Sequence, residues 1–201
     1  MQLTGYKSLV IKQKFEGLEL LGYESRNKYA IMDENENKIG FAAEQQKGIL
    51  GFLLRHLLGH WRKFDVHFFN EDKNEFMSAH HPFRFFFQRF EITDIAGEYQ
   101  GALQQRFSIL NKKFDVLDKN HQVIFRMRSP FWKIWTFPFF RHGDEVARVA
   151  KKWTGLMAEA FTDKDTFVVE YANHSLNQEE RLLILATSIF IDLQYFERKA
   201  S

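Results

Sequence analysis

Cysteine is absent from the 201 residues. That excludes disulfides, thiolate nucleophiles, thiolate metal sites and palmitoylation, and it suits a reducing compartment. Proline is scarce at three and glycine modest at eleven, so no stretch reads as a disordered linker. A strong charge of either sign is also missing. The net charge of +2 is too near neutral to imply a nucleic-acid partner. The opening Met1-Gln2-Leu3-Thr4 lacks the charged start and apolar stretch of a signal peptide. No nucleophile elbow, phosphate loop or glycine-rich turn before a helix is found, so no covalent catalysis is expected.

What the chain does have is aromatic side chains, among them twenty-three Phe, enough to bury a large core. Its length suits one domain, taken as 1–201, organised around a helix over 178–198. Glu179 and Glu180 open that segment and Arg198 and Lys199 close it, as the helix dipole prefers. Between them Leu182 to Ile191 is apolar on every side, so the helix lies inside a protein or inside a membrane. The run spans only about 15 Å, against the ~30 Å of a bilayer core. Extending it to Phe196 would bury Asp192 in lipid. Length therefore favours a protein core, with Leu183, Ile184, Ile189, Phe190 and Asp192 enclosed. Within a core, Asp192 is expected to bond strand backbone or to pair with an interior Arg.

The rest of the chain must wrap this helix. Leu9 to Lys14, Tyr23 to Met32 and Ile39 to Glu44 read as strands, the last two joined by the polar turn Asp33 to Lys38. Gly48 to Arg62 is apolar and glycine-punctuated, with a basic end. It reads either as a short helix closing a barrel end or as an interfacial helix touching a membrane. Beyond it lies an internal repeat. Lys63-Phe64-Asp65-Val66 recurs as Lys113-Phe114-Asp115-Val116, and Asp72-Lys73-Asn74 matches Asp118-Lys119-Asn120. His81-Pro82-Phe83 parallels Ser129-Pro130-Phe131, each opening an aromatic stretch taken as a strand, and Gly97 and Gly143 each precede a further strand. A period near 50 residues with period-2 content indicates repeated β-meanders. Eight strands make a barrel that side chains fill, whereas about twelve leave a lumen that a helix ~10–12 Å across would occupy. The expected fold is a mostly β, closed antiparallel barrel of about twelve strands around the hydrophobic C-terminal helix.

The sequence resembles the phospholipid scramblase family, within the tubby-like and LURP-one-related superfamily. The resemblance rests on Ile11 to Glu16 with Tyr23 to Ile31, on Trp153-Thr154-Gly155 through Phe161-Thr162-Asp163 to Phe167, and on Phe190 to Glu197. It implies a twelve-stranded barrel around a C-terminal helix. It also implies association with phospholipid membranes and bidirectional movement of phospholipids between leaflets. The animal members' proline-rich arm and cysteine cluster have no counterpart here, so the style is that of a compact bacterial-type member. The family's proposed calcium segment begins with an Asp-x-Asp, matched by Asp163 and Asp165, with Glu170 beyond. Its later carboxylates are replaced by Ser175 and Asn177. Calcium prefers several carboxylate ligands, so this stretch is more simply a solvated turn than a cation site, and no cofactor is assigned.

Basic and aromatic residues interleave at Arg55, Trp61 and Arg62, at Arg126, Arg128, Trp132, Lys133 and Trp135, and at Lys151 and Lys152. Strand alternation explains much of this pattern. The surplus of aromatics from Trp132 to Phe140, around Pro138, suggests an exposed loop. Such surfaces suit anionic headgroups. The expectation is a non-enzymatic protein in the cytoplasm, peripheral at the inner face of the plasma membrane. The alternative is a soluble module that binds a ligand or partner without transport.

Overall fold

The computed structural model describes residues 1–13, 25–45, 63–84, 86–130, 132–133, 135–151, 166–172 and 176–196. Twelve strands run in order: β1 (Ser8–Gln13), β2 (Ser25–Met32), β3 (Lys38–Gln45), β4 (Phe64–Asn70), β5 (Glu75–His81), β6 (Arg89–Asp94), β7 (Tyr99–Arg106), β8 (Asn111–Leu117), β9 (Val123–Pro130), β10 (Thr136–Arg141), β11 (Asp144–Ala150) and β12 (Thr166–Tyr171). Helix α1 (Gln178–Ile191) comes last and runs on into one π-helical turn, Asp192–Phe196. Each strand pairs antiparallel with its sequence neighbours, and β12 closes onto β1. Closure leaves no strand edge to template aggregation.

Alternation builds the wall. In β8, Lys112, Phe114 and Val116 are buried while Lys113 and Asp115 stay half-exposed. In β9, Phe125, Met127 and Ser129 are buried while Arg126 and Arg128 face solvent. Four hairpins, β2–β3, β4–β5, β6–β7 and β8–β9, share one turn. Asp33, Asn70, Asp94 or Asp118 heads it, and the heading side chain accepts from the backbone N–H four residues on. The residue three on is left-handed: Glu36, Lys73, Gly97 or His121. These Asx-headed turns are the physical basis of the internal repeat. They also correct its alignment, because Asn70, not Asp72, is the counterpart of Asp118.

The helix lies within the barrel. Its Phe190 meets Phe64 of β4, His81 of β5, Phe90 of β6 and Phe114 of β8. Leu183 lies against Gly101 of β7. The Arg181 guanidinium sits over the Tyr171 ring of β12, and Tyr29 of β2 donates to Asp192 at 2.9 Å. Contacts from so many walls mean the helix is sheathed by its own strands. Asn177 caps its start with a reciprocal bond to Glu180.

Two expectations are corrected. Among the described residues the proline-led aromatic stretches open no strand: β5 ends at His81 and β9 at Pro130, and Pro82, Phe83, Arg84, Trp132 and Lys133 are connection. Proline offers no N–H to continue a ladder. Nor does the aromatic surplus from Trp132 to Phe140 form one loop. Thr136–Arg141 is β10, and Phe137 and Phe139 are fully buried.

Candidate functional site

Strand order divides the connections between two ends. Even-to-odd connections are the short turns; odd-to-even connections (β1–β2, β3–β4, β5–β6, β7–β8, β9–β10, β11–β12) all fall at the opposite end. The helix starts at the turn end, where Glu179 meets Lys119 and Glu180 meets Arg141. It finishes at the loop end, where Tyr195 packs against Phe114 and Phe137.

The two ends differ in chemistry. Among the described residues, Phe86, Phe87, Phe107, Ile109, Leu110 and Trp132 are large exposed apolar side chains of loop-end connections. Trp132 is 72% exposed and Phe86 80%. The described loop-end connections carry Lys63, Arg84, Lys133 and Lys151 and no Asp or Glu. The turns at the other end hold Glu34, Glu36, Glu71, Asp72 and Glu98, beside Lys73, Lys119 and a single large exposed apolar side chain, Ile95. Solvent-facing apolar side chains gathered at one site mark a contact surface, and the described charge flanking it is positive.

Beneath the loop end the lumen wall turns polar. Gln13 Nε2 donates to Asn27 at 3.2 Å, and Asn27 Nδ2 donates to Glu44 at 2.6 Å, all three buried. Lys112 is buried on β8 with its ammonium 4.6 Å from the Tyr195 ring centre and 4.9 Å from that of Phe137. Asp192 belongs to this polar layer. Where strand backbone or an interior Arg was expected for it, a described partner is the Tyr29 phenol of β2. A tyrosine hydroxyl suits the role because its ring stays in the apolar wall while its O–H reaches the carboxylate. The buried Arg serves elsewhere. Arg181, at the turn end, donates to the carbonyls of Leu176, Leu3 and Tyr6 and so ties the N-terminal segment to the helix. Arg181 and Lys112 were missed by sequence reasoning; a cation at an inward strand or helix position was the available signal.

Burial pushes the Tyr171 phenol well above the ordinary tyrosine range, against the pull of the nearby Arg181 cation. Burial also raises Tyr99, with Arg89 opposing. At Asp33 burial pushes the carboxyl up, but hydrogen bonds from the Asn37 side chain and from the Asn37 and Asn35 N–H groups together hold it below the usual range.

The other expected site residues are dispersed over the barrel. Arg126 and Arg128 are exposed on the outer face of β9. Lys133 is exposed, and the half-buried Trp135 lies 5.6 Å under the Lys151 ammonium. Leu183, Ile184, Ile189, Phe190 and Asp192 are all buried. Glu170 sits on β12 opposite Ser8 and Arg148. Arg148 is ion-paired to Glu145, and that bond, despite burial, raises its pKa. Arg55, Trp61, Arg62, Lys152, Asp163, Asp165 and the 48–62 stretch lie outside the described residues. Among those described, no three metal-ligating side chains cluster.

Similarity to known proteins accords with this architecture. The family model described as Scramblase matches residues 1–198. The chain belongs to the Scramblase family. Among its relatives, Phospholipid scramblase 2 of Bos taurus is 27% identical over 97% of this chain and 70% of its own. The Altered inheritance rate of mitochondria protein 25 of Saccharomyces cerevisiae is 24% identical over 95% and 71%. Phospholipid scramblase 1 of Rattus norvegicus is 25% identical over 98% and 62%. The X-ray structure of an Arabidopsis thaliana protein matches with a TM-score of 0.51, covering 94% of each chain at 9% identity. That likeness concerns the fold alone, which for this Scramblase-family chain is the tubby-like barrel around its helix. No helix among its described residues is long and apolar enough to cross a membrane.

Proposed function

We propose that this Scramblase-family barrel is a peripheral membrane protein that docks its loop end on anionic phospholipid and facilitates two-way movement of phospholipids between leaflets. One observation carries the reading: exposed Phe86, Phe107, Ile109, Leu110 and Trp132 share an end with Arg84 and Lys133, while turn-end connections carry carboxylates. The basic side chains draw that end to headgroups, each giving about 1 kcal/mol near an anionic surface. The apolar tips then enter the acyl boundary and spread the headgroups, which eases lipid exchange without any covalent step. The names of the curated relatives support phospholipid as the substrate class. The anionic cytoplasmic leaflet matches the basic end, so the docking site is the inner face of the plasma membrane.

Co-sedimentation with phosphatidylserine-containing vesicles tests docking. Binding is expected at low salt and not to neutral phosphatidylcholine; equal binding to both, or none, contradicts it. A dithionite-type assay in the same vesicles then tests scrambling, where lipid exchange indifferent to the protein would leave docking alone. A second reading, a module holding a soluble ligand, draws on a groove of about 710 Å³ between β9 and β10, lined by Phe125, Arg126, Phe140 and Arg141. On that reading the vesicles bind nothing.

A further inference from the structure

The outer wall of the barrel carries a row of like charges. The strand register sets Arg106 of β7 opposite Lys113 of β8, and Lys113 opposite Arg128 of β9. Neighbouring strands are about 4.8 Å apart, so three cations stand side by side with no carboxylate between them. Like charges directly opposite one another destabilise a sheet, so the row works against the fold that holds it. One row nearer the turn end, Asp115 stands opposite Arg126 and is ion-paired with Arg106 at 3.4 Å. Four cations and one carboxylate thus line a groove of about 450 Å³, and the exposed Phe107 forms part of its wall.

The internal repeat supplies a natural contrast. On β4 and β5 the same Lys-Phe-Asp-Val segment places Asp65 opposite His80, and His81-Pro82 stands where β9 has Met127-Arg128. There the position beside Lys63 on the β5 side is Pro82, where the second copy has Arg128. The Lys113–Arg128 pair is therefore not a by-product of the repeat; it belongs to the copy that borders Phe107, Ile109 and Leu110.

We propose that this groove on β7, β8 and β9 binds the phosphate-bearing headgroup of an anionic phospholipid, with the Phe107–Leu110 loop inserted beside its acyl chains. The inference rests on the docking reading above and names its site. Two guanidinium forks and an ammonium suit phosphate oxygens, and the forks can bind them in pairs. The volume is that of a headgroup site. The adjoining apolar tips select a membrane lipid over a free anion, because a soluble phosphate would leave Phe107, Ile109 and Leu110 in water.

The test compares wild type, the triple variant Arg106→Gln/Lys113→Gln/Arg128→Gln, single Arg128→Gln and the turn-end control Lys73→Gln. Partition onto phosphatidylserine/phosphatidylcholine vesicles is measured beside far-UV circular dichroism and thermal melting. Loss of one charge is expected to weaken binding about fivefold and loss of all three about a hundredfold. Lys73→Gln, in the β4–β5 turn at the opposite end, should bind as wild type, and the triple variant should melt no lower than wild type because repulsion is relieved. If wild type binds and the triple variant binds equally well, the groove assignment is wrong and docking survives. If wild type does not bind, both fall. A rise in melting temperature with inorganic phosphate that is lost in the triple variant would reassign the groove to a soluble anion and overturn the lipid assignment. Should the triple variant not fold, the single Arg128→Gln carries the same comparison.

Discussion

Arg181 and Asp192 mark the two ends of a helix whose middle is apolar, and each is held differently. Arg181 is 1% exposed and gives its guanidinium to three carbonyls. A methionine there would leave those carbonyls without their donor. Arg181→Met is expected to lower unfolding free energy by about 3 kcal/mol or more, measured by urea denaturation. Tyr29→Phe removes the 2.9 Å bond to Asp192 and is expected to cost about 1–3 kcal/mol. Tyr171 gives a pH signature. Its folded pKa is raised by burial from the ordinary 10.0. Above pH 10 the unfolded chain releases that proton while the folded chain keeps it, so stability falls as pH rises from there. Tyr171→Phe is expected to flatten that alkaline decline. An identical slope in the variant would show that the phenol does not titrate between the two states.

At the scale of elements, the wall must let the helix approach. Gly101 of β7 does so: a Cβ there would collide with the Leu117 carbonyl and reach Leu183 Cδ2 at 2.7 Å. Backbone cannot yield as a side-chain tip can, so Gly101→Val is expected to destabilise by about 3 kcal/mol or more. Gly5→Ala, with nothing within 4 Å, should be near neutral by the same melts. The helix itself was legible in the sequence because Leu182 to Ile191 leaves no polar face. The strands were legible where alternation is clean, as in Phe114, Val116, Phe125 and Met127. The aromatic stretches after Pro82 and Pro130 were misread as strands. Composition does not distinguish a Phe that packs inward, such as Phe137, from an exposed one such as Phe86; only the end of a ladder does.

For the whole molecule, the candidate site was the least legible part. Arg126, Arg128, Trp132 and Lys133 were singled out by local mixing of charge and aromatics. Arg106, Lys113, Phe107 and Leu110 were not, although they complete the same surface. Their grouping depends on register between β7, β8 and β9 and on which connections share an end, and neither can be read from one strand at a time. The barrel is thus two-ended: carboxylates on the turns at one end, apolar tips and cations at the other, with the helix sealed between them. Its orientation on a bilayer and the enclosure of the helix are one claim, because a helix that left the barrel for lipid would empty the core that shapes the loop end. Hydrogen exchange of residues 183–191, with and without phosphatidylserine vesicles, tests that claim most directly. The account predicts strand-like protection of these amides in buffer alone, unchanged when vesicles bind. Free exchange in buffer that becomes protected only on adding lipid would contradict it.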